Sequence, residues 1–126
     1  MSNDIFKLKE LEKLVGHRFN DPDVLRQALT HASLERSSWN VYERLEFLGD
    51  RVLGLVVSET LLKRFPNERE GQISRRYANL VKRDSLAVVA RKIKFGDYLL
   101  ISAGEEAAGA RESVTILSDA LEAVIG

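Results

Sequence analysis

The amino-acid sequence predicts an all-α domain, and three observations support that prediction. Apolar side chains recur every three or four residues in segment after segment, which is the period of a helix and not of a strand. The 126 residues include only two prolines, so long helices are allowed, and this length suits one domain with a sizeable core. The longest apolar helical pattern covers residues 41–65, VYERLEFLGDRVLGLVVSETLLKRF, and the other helices are expected to pack around it.

Two helices are predicted before this long segment. The first covers residues 4–15, and Gly16 follows it as a C-terminal stop. The second begins within residues 20–23, where Asn, Asp, Pro and Asp combine an N-cap, a proline at the first helical position and an acid favoured by the helix dipole. It is expected to end between His31 and Leu34, and residues 35–40 then form a polar connection.

Three further segments follow the long helix, which is expected to end at Pro66. A helix is predicted over residues 70–81, and the next begins with Asp84 as its N-cap and stops before Gly96. Residues 103–111 are rich in Gly, Ala and Glu and are predicted to form a flexible surface loop. The last helix then begins near residue 112 and continues to the end of the chain.

Composition excludes several classes of protein. The chain has no cysteine, so neither a disulfide framework nor a cysteine-based zinc site is possible. It has no run of about 18 apolar residues and no apolar leader, which predicts a cytoplasmic protein without a membrane span. Nineteen basic residues balance 19 acidic ones, and this zero net charge offers no general argument for a nucleic-acid partner.

An acidic stripe marks the long helix near its start. At about 100° per residue, Glu43, Glu46 and Asp50 fall within roughly 60° of one another, and the same face continues through Val57 and Leu61 into the predicted core. Carboxylates at the edge of a core repel one another and lose hydration, which costs several kcal/mol or more unless a positive charge offsets it. The stripe therefore requires a cationic partner.

Two interpretations of the stripe remain open at this point. It is either the solvated face of a helix, paired with Arg44 and Arg51, or a metal or catalytic site. At helical pitch, both arginines project more than about 90° away from Glu46, so neither is an obvious partner for it.

A second acidic pair, Asp119 and Glu122, shares one face of the last helix. If the two helices face each other, they build a four-carboxylate cluster. Oxygen ligands without cysteine or suitably spaced histidine favour Mg²⁺ or Mn²⁺ over zinc, and the Glu-x-x-His pairs of a di-iron bundle are missing from the sequence. Mg²⁺ held by few carboxylates typically acts on phosphates.

Several motifs in this sequence resemble those of the ribonuclease III family, in particular its bacterial-type endonuclease domain. Residues 43–50 (ERLEFLGD) resemble the family signature, and residues 117–126 (LSDALEAVIG) resemble its second acidic motif. Further matches lie at 30–33 (THAS), 71–74 (GQIS) and 78–81 (ANLV). The matches occur in the family's order and span nearly the whole chain.

This resemblance implies an all-helical protein that cleaves double-stranded RNA, including ribosomal RNA precursors, and leaves 5′-phosphate and 3′-hydroxyl ends with a short 3′ overhang. It implies catalytic roles for Asp50 and Glu122, of which Glu122 is the more directly tied to hydrolysis. It also implies Mg²⁺, for which Mn²⁺ can substitute, and four metal ligands, namely Glu46, Asp50, Asp119 and Glu122. Glu43 matches a further acid of the motif, which supports the site or contacts RNA.

The resemblance also implies a homodimer. Phe47 lies about 100° round the helix from Glu46, away from the main core face, and in similar proteins this position packs into a socket on the partner chain. Two subunits then align two acidic sites along one groove, as one cut on each strand of an A-form duplex requires.

Residues 1–126 are expected to form this endonuclease domain, truncated at its C-terminus, because the sequence stops at Gly126 directly after the second acidic motif. The double-stranded-RNA-binding domain that usually follows in the family is absent from this sequence, which predicts weak, salt-dependent binding. The alternative is a non-catalytic module of the same fold that binds double-stranded RNA or dimerises. Degenerate members of such families lose acids, whereas all four are present here.

Overall fold

Helices account for the regular structure of the chain. The computed structural model describes residues 2–34 and 39–126, with side chains for 5–34 and 40–126. Within these ranges there are two 3₁₀ helices, Phe95–Tyr98 and Ala110–Glu112, and seven α-helices: α1 Ser2–Val15, α2 Pro22–Leu29, α3 Trp39–Arg64, α4 Glu70–Val81, α5 Arg83–Lys92, α6 Ala103–Ala107 and α7 Val114–Ile125. The described part contains no β-strand, only one isolated bridge. The prediction of an all-α fold is confirmed.

The core lies around α7, which packs against α3, α5 and α2. Phe95, Leu11, Leu29 and Leu117 are almost completely buried in it. Ser118 is buried as well, and its hydroxyl donates a hydrogen bond to the carbonyl of Thr115, one turn earlier in α7. The long helix α3 therefore has its main contact with the last helix of the chain, and each carries one of the two acidic motifs.

The predicted start of α2 is confirmed, but its predicted end is wrong. The Asp21 side chain accepts a hydrogen bond from the backbone N–H of Asp23, as expected of an N-cap before proline. The helix ends at Leu29 and not between His31 and Leu34, because the backbone of Leu100 pairs on both sides of Thr30. Of the predicted connection 35–40, residues 35–38 lie outside the described part and the last two belong to α3.

The helix α5 begins two residues earlier than its sequence suggested. Lys82, and not Asp84, has the extended backbone of the N-cap, while Asp84 lies in the first turn, where the helix dipole favours an acid. The helix ends at Lys92, and the left-handed backbone of Lys94 starts the 3₁₀ turn that follows, so Gly96 is not the stop.

Residues 103–111, predicted to be a flexible loop, form α6 and the start of a 3₁₀ helix. The side chain of Ser102 caps α6 by accepting a hydrogen bond from the N–H of Glu105. Arg111 Nη1 donates to the carbonyls of Gly96 and Leu99, at 2.6 and 2.9 Å. These long-range bonds hold the segment against the core. No helix in the described ranges combines the length and apolarity needed to cross a membrane.

Candidate active site

The site is built where α3 crosses α7 at Gly49. This glycine is buried, and a Cβ atom added to it would collide with the backbone carbonyl of Glu122 and approach the backbone nitrogen of Gly126. The two helix backbones are therefore in direct contact, which no residue with a side chain permits here. Glu46 lies almost one turn before Gly49 and Asp50 directly after it, so both acids of α3 are carried to α7.

Four carboxyl groups are brought together at this crossing, and we refer to them as the acid cluster: Glu46, Asp50, Asp119 and Glu122. The Glu46 side chain lies close to Asp119 and Glu122, and the charge of Asp50 raises the pKa of Glu122. Glu46, Asp119 and Glu122 are half-buried, whereas Asp50 is exposed. The sequence-predicted acids therefore assemble from two helices, although those of α3 and those of α7 are at least 69 residues apart in the chain, and their roles remain predictions.

The electrostatics of the acid cluster are those of like charges crowded at the edge of a core. Burial, followed by repulsion from Asp119 and Glu122 and hydrogen bonding to Asp119, raises the pKa of Glu46 to about 7. Burial and the charges of Asp50 and Asp119 also raise the pKa of Glu122 above its ordinary value. Arg83 opposes both shifts. The positive charge near the acid cluster is therefore too small to cancel the repulsion among its carboxylates.

The nearby arginines offset this charge only in part. Arg83 Nη2 lies 3.9 Å from Asp119 Oδ1, and Arg51 Nη1 lies 3.6 Å from Asp50 Oδ2. Among the described residues, no lysine or arginine forms an ion pair with Glu46 or Glu122. The expectation that the arginines of α3 do not pair with Glu46 agrees with this geometry, although Arg51 does pair with its neighbour Asp50.

The donor set of the acid cluster fits a hard divalent cation. All four groups are carboxylates, the ligands that Mg²⁺ and Mn²⁺ prefer. In residues 2–34 and 39–126, no three acidic or histidine side chains converge into a ready-made metal cage. Mg²⁺ does not need one, because it usually keeps several waters and is held by one or two carboxylates. A bound cation would also relieve the repulsion that raises the pKa of Glu46.

Two residues that lie next to the acid cluster were not predicted from the sequence to belong to the site. Tyr42 lies one turn before Glu46, and burial, together with the charges of Asp119, Glu46 and Glu122, raises the pKa of its phenol. The feature of the sequence that could have identified Tyr42 is its position four residues, about one helical turn, before Glu46. Arg83 comes from α5 and appeared in the sequence only as one of several basic residues.

The remaining two predicted site residues lie outside the acid cluster. Glu43 is exposed on α3, about one turn before Glu46. Phe47 is 64% exposed, and the guanidinium of Arg51 lies 5.0 Å from the centre of its ring. Further exposed apolar side chains follow Phe47 on the same side of α3: Leu48, Leu55 and Leu62. We refer to these four residues as the α3 apolar face.

Comparison with known proteins agrees with the fold. The family model described as Ribonuclease-III-like matches residues 21–126, which is most of the chain and includes the whole acid cluster. This chain belongs to the ribonuclease III family. The ribonuclease III nuclease domain from Campylobacter jejuni, a structure described as flexible in a region involved in dimer formation, superposes with a TM-score of 0.83 at 45% identity. It covers 94% of this chain, which covers 79% of that structure.

The chain also matches curated proteins of the ribonuclease III family over part of their length. The proteins named Ribonuclease 3 from Histophilus somni and Ectopseudomonas mendocina are 47% and 49% identical to this chain over 119 residues. Each match covers 94% of this chain but only 52% and 51% of the relative. The chain therefore spans about half the length of the curated ribonuclease III proteins that it matches.

Replacing Glu46 with glutamine is expected to raise the melting temperature of the metal-free protein at pH 8 and to change it little at pH 5. The pKa of Glu46 in the folded protein, about 7, lies above its ordinary value of 4.5, so the folded state binds more protons between these values and stability falls as the pH rises through them. Glutamine removes the charge. Allowing for solvent screening, we expect a gain of about 1 kcal/mol, or about 3–5 °C.

Thermal unfolding in EDTA, followed by circular dichroism, measures this difference. Glu59→Gln is the matched control, since Glu59 is exposed on the same helix and pairs with Lys63, one turn away. An equal effect of Glu46→Gln at pH 5 and pH 8 would contradict the electrostatic origin of the shift.

Proposed function

We propose that this chain is the catalytic part of an endoribonuclease that cleaves double-stranded RNA with Mg²⁺ and leaves 5′-phosphate and 3′-hydroxyl ends. The observation that carries the proposal is the acid cluster, in which two carboxylates from α3 meet two from α7 at the Gly49 crossing. Membership of the ribonuclease III family supports it. We further propose that the substrates include ribosomal RNA precursors, and that the enzyme acts on them in the cytoplasm.

In this proposal the residues of the chain would hold the metal ion, accept a proton from the attacking water and support the site. Glu46, Asp50, Asp119 and Glu122 would hold Mg²⁺, or Mn²⁺ in its place, and the metal would supply Lewis-acid polarisation of the phosphate and a lowered pKa for a bound water. The raised pKa of Glu122 suits it to accept a proton from the attacking water. Attack on phosphorus from the side opposite the 3′-oxygen leaves the phosphate on the 5′ end. Glu43, exposed beside the cluster, supports the site or contacts the RNA.

Basic residues on α4 and between α4 and α5 are proposed to contact the RNA backbone. Arg75 is exposed on α4, and Lys82 is exposed between α4 and α5. Arg76 contributes less, because two hydrogen bonds of 2.7 and 2.8 Å tie it to Glu68 and its guanidinium stacks on Phe65. Contacts to phosphates recognise the A-form shape of a duplex and not its base sequence.

The α3 apolar face is proposed to be the homodimer interface, with Phe47 inserted into the partner. Phe47→Ala is expected to weaken dimerisation at least about 30-fold, because truncating a central aromatic anchor typically costs 2 kcal/mol or more. Light scattering over a range of protein concentrations measures the change. Val88→Ala, an exposed apolar truncation on α5, is the control and should leave the dimer unaffected. A wild-type chain that is monomeric at micromolar concentration would contradict the interface.

Cleavage of a long RNA duplex by this chain at low salt tests the proposed function. We expect cutting with Mg²⁺, none with EDTA, and none of a single-stranded RNA of the same length. Labelled ends resolved by electrophoresis identify the 5′-phosphate and 3′-hydroxyl. If the folded chain binds the duplex but does not cut it with Mg²⁺ or Mn²⁺, the catalytic proposal is wrong and the chain is a non-catalytic binding module.

A further inference from the structure

Arg83 lies beside the acid cluster without a part in the proposed hydrolysis. It is the first residue of α5, so its backbone belongs to neither of the two helices that carry the acids. Its Nη2 atom lies 3.9 Å from Asp119 Oδ1. The Arg83 side chain is 61% exposed and that of Asp119 is 23% exposed, so the arginine reaches the cluster from the solvent side.

The contact between Arg83 and Asp119 is loose. Charge-assisted hydrogen bonds between nitrogen and carboxylate oxygen are typically about 2.7–2.9 Å long, and 3.9 Å leaves a Coulombic attraction without such a bond. Arg111, by contrast, is held by three hydrogen bonds, two to backbone carbonyls and one to Glu106. Arg83 is therefore placed by the charge of the acids and not by packing, and its exposure allows it to move away.

A divalent cation and a guanidinium compete for the same carboxylate. The positive charge of Arg83 also opposes the mutual repulsion of Glu46 and Glu122, so it partly replaces the charge that a metal would bring. When a divalent cation arrives at Asp119, the two positive charges repel each other, and the arginine must retreat or weaken metal binding. The attraction between Arg83 and the acids therefore stabilises the metal-free protein, and the repulsion between Arg83 and the cation lowers the protein's affinity for metal.

We propose that Arg83 is a positioning residue that acts as a built-in counter-cation: it holds Asp119 in the metal-free protein and competes with Mg²⁺ for it. The proposal rests on the proposed function, since it takes the acid cluster to be a Mg²⁺ site. Removing this charge should destabilise the metal-free protein slightly but strengthen Mg²⁺ binding. For one charge within several ångströms of a divalent ion at a solvated site, we expect roughly a three- to tenfold gain in affinity.

Mg²⁺ titration of Arg83→Gln without RNA tests this proposal. Isothermal titration calorimetry gives the affinity, and thermal unfolding at each Mg²⁺ concentration gives the stabilisation. We expect the dissociation constant for Mg²⁺, obtained from both measurements, to fall three- to tenfold in Arg83→Gln and to stay at the wild-type value in Arg83→Lys. Arg64→Gln is the matched control, because Arg64 is exposed in the last turn of α3, 14 residues after Asp50. Its affinity for Mg²⁺ should remain that of the wild type.

The outcomes separate this proposal from the proposed function. If the wild type binds Mg²⁺ and Arg83→Gln binds it equally or more weakly, Arg83 does not compete with the metal, and only the inference about Arg83 is overturned. A purely structural role would lower the melting temperature by the same amount at every Mg²⁺ concentration. If neither protein binds Mg²⁺ or Mn²⁺, both the metal site of the proposed function and the inference are wrong.

Discussion

Replacing Glu122 with glutamine is expected to reduce cleavage of duplex RNA about 10³-fold or more while leaving the protein folded. Glutamine keeps the size of the side chain but removes the negative charge and the capacity to accept a proton, and a single general base typically contributes 10²–10⁴-fold. Loss of a metal-binding carboxylate adds to the effect. Because the remaining acids repel Glu122 in the metal-free protein, removal of its charge should not lower stability.

Initial rates of cleavage at saturating Mg²⁺ measure this effect, and circular dichroism and light scattering check that the variant keeps the fold and the oligomeric state of the wild type. Glu105→Gln is the control, since Glu105 is exposed on α6, a helix that carries none of the four acids of the cluster. We expect its rate to stay within about twofold of the wild type, as is usual for surface substitutions away from a site. Equal rates for Glu122→Gln and the wild type would contradict the assignment of the site.

The parts of the fold that sequence predicted are those fixed by local chemistry. The helical period of apolar residues correctly predicted α4 and nearly all of α3, and the Asp21 cap with Pro22 correctly predicted the start of α2. The meeting of the two acidic pairs was also predictable, because each pair shares a helical face with residues that belong in the core. Two faces that both enter one small core have few places to meet.

The parts that sequence did not predict depend on contacts between distant residues. The end of α2 is set by backbone hydrogen bonds with Leu100. The residues near Leu29 show no sequence pattern that predicts this pairing. Residues 103–111 look like a loop by composition, yet Arg111 fixes them to the carbonyls of Gly96 and Leu99. The contact of Arg83 with Asp119 joins α5 to α7 across 36 residues of chain. Local propensity is overridden wherever such tertiary contacts are formed.

Gly49→Ala is expected to destabilise the protein by at least about 4 kcal/mol, although alanine is the better helix former. In an exposed helix interior, this change would gain about 0.5–1 kcal/mol. At Gly49 the new Cβ atom would overlap the backbone carbonyl of Glu122, and backbone cannot move aside as the end of a flexible side chain can. Overpacking typically costs 1–3 kcal/mol and more when no relaxation is available. The helices α3 and α7 would have to separate, and this would also pull apart the acid cluster.

Gly104→Ala provides the matched control, because Gly104 lies in α6 and a Cβ atom added there has no neighbour within 4 Å. We expect it to be neutral or to raise stability by up to about 1 kcal/mol. Thermal unfolding of the metal-free proteins measures both effects, and at about 3–5 °C for each kcal/mol, Gly49→Ala should lower the melting temperature by about 12 °C or more or abolish folding. A Gly49→Ala protein with wild-type stability would show that the two helices are not in backbone contact. The crossing would then not be what brings the acids of α3 to those of α7.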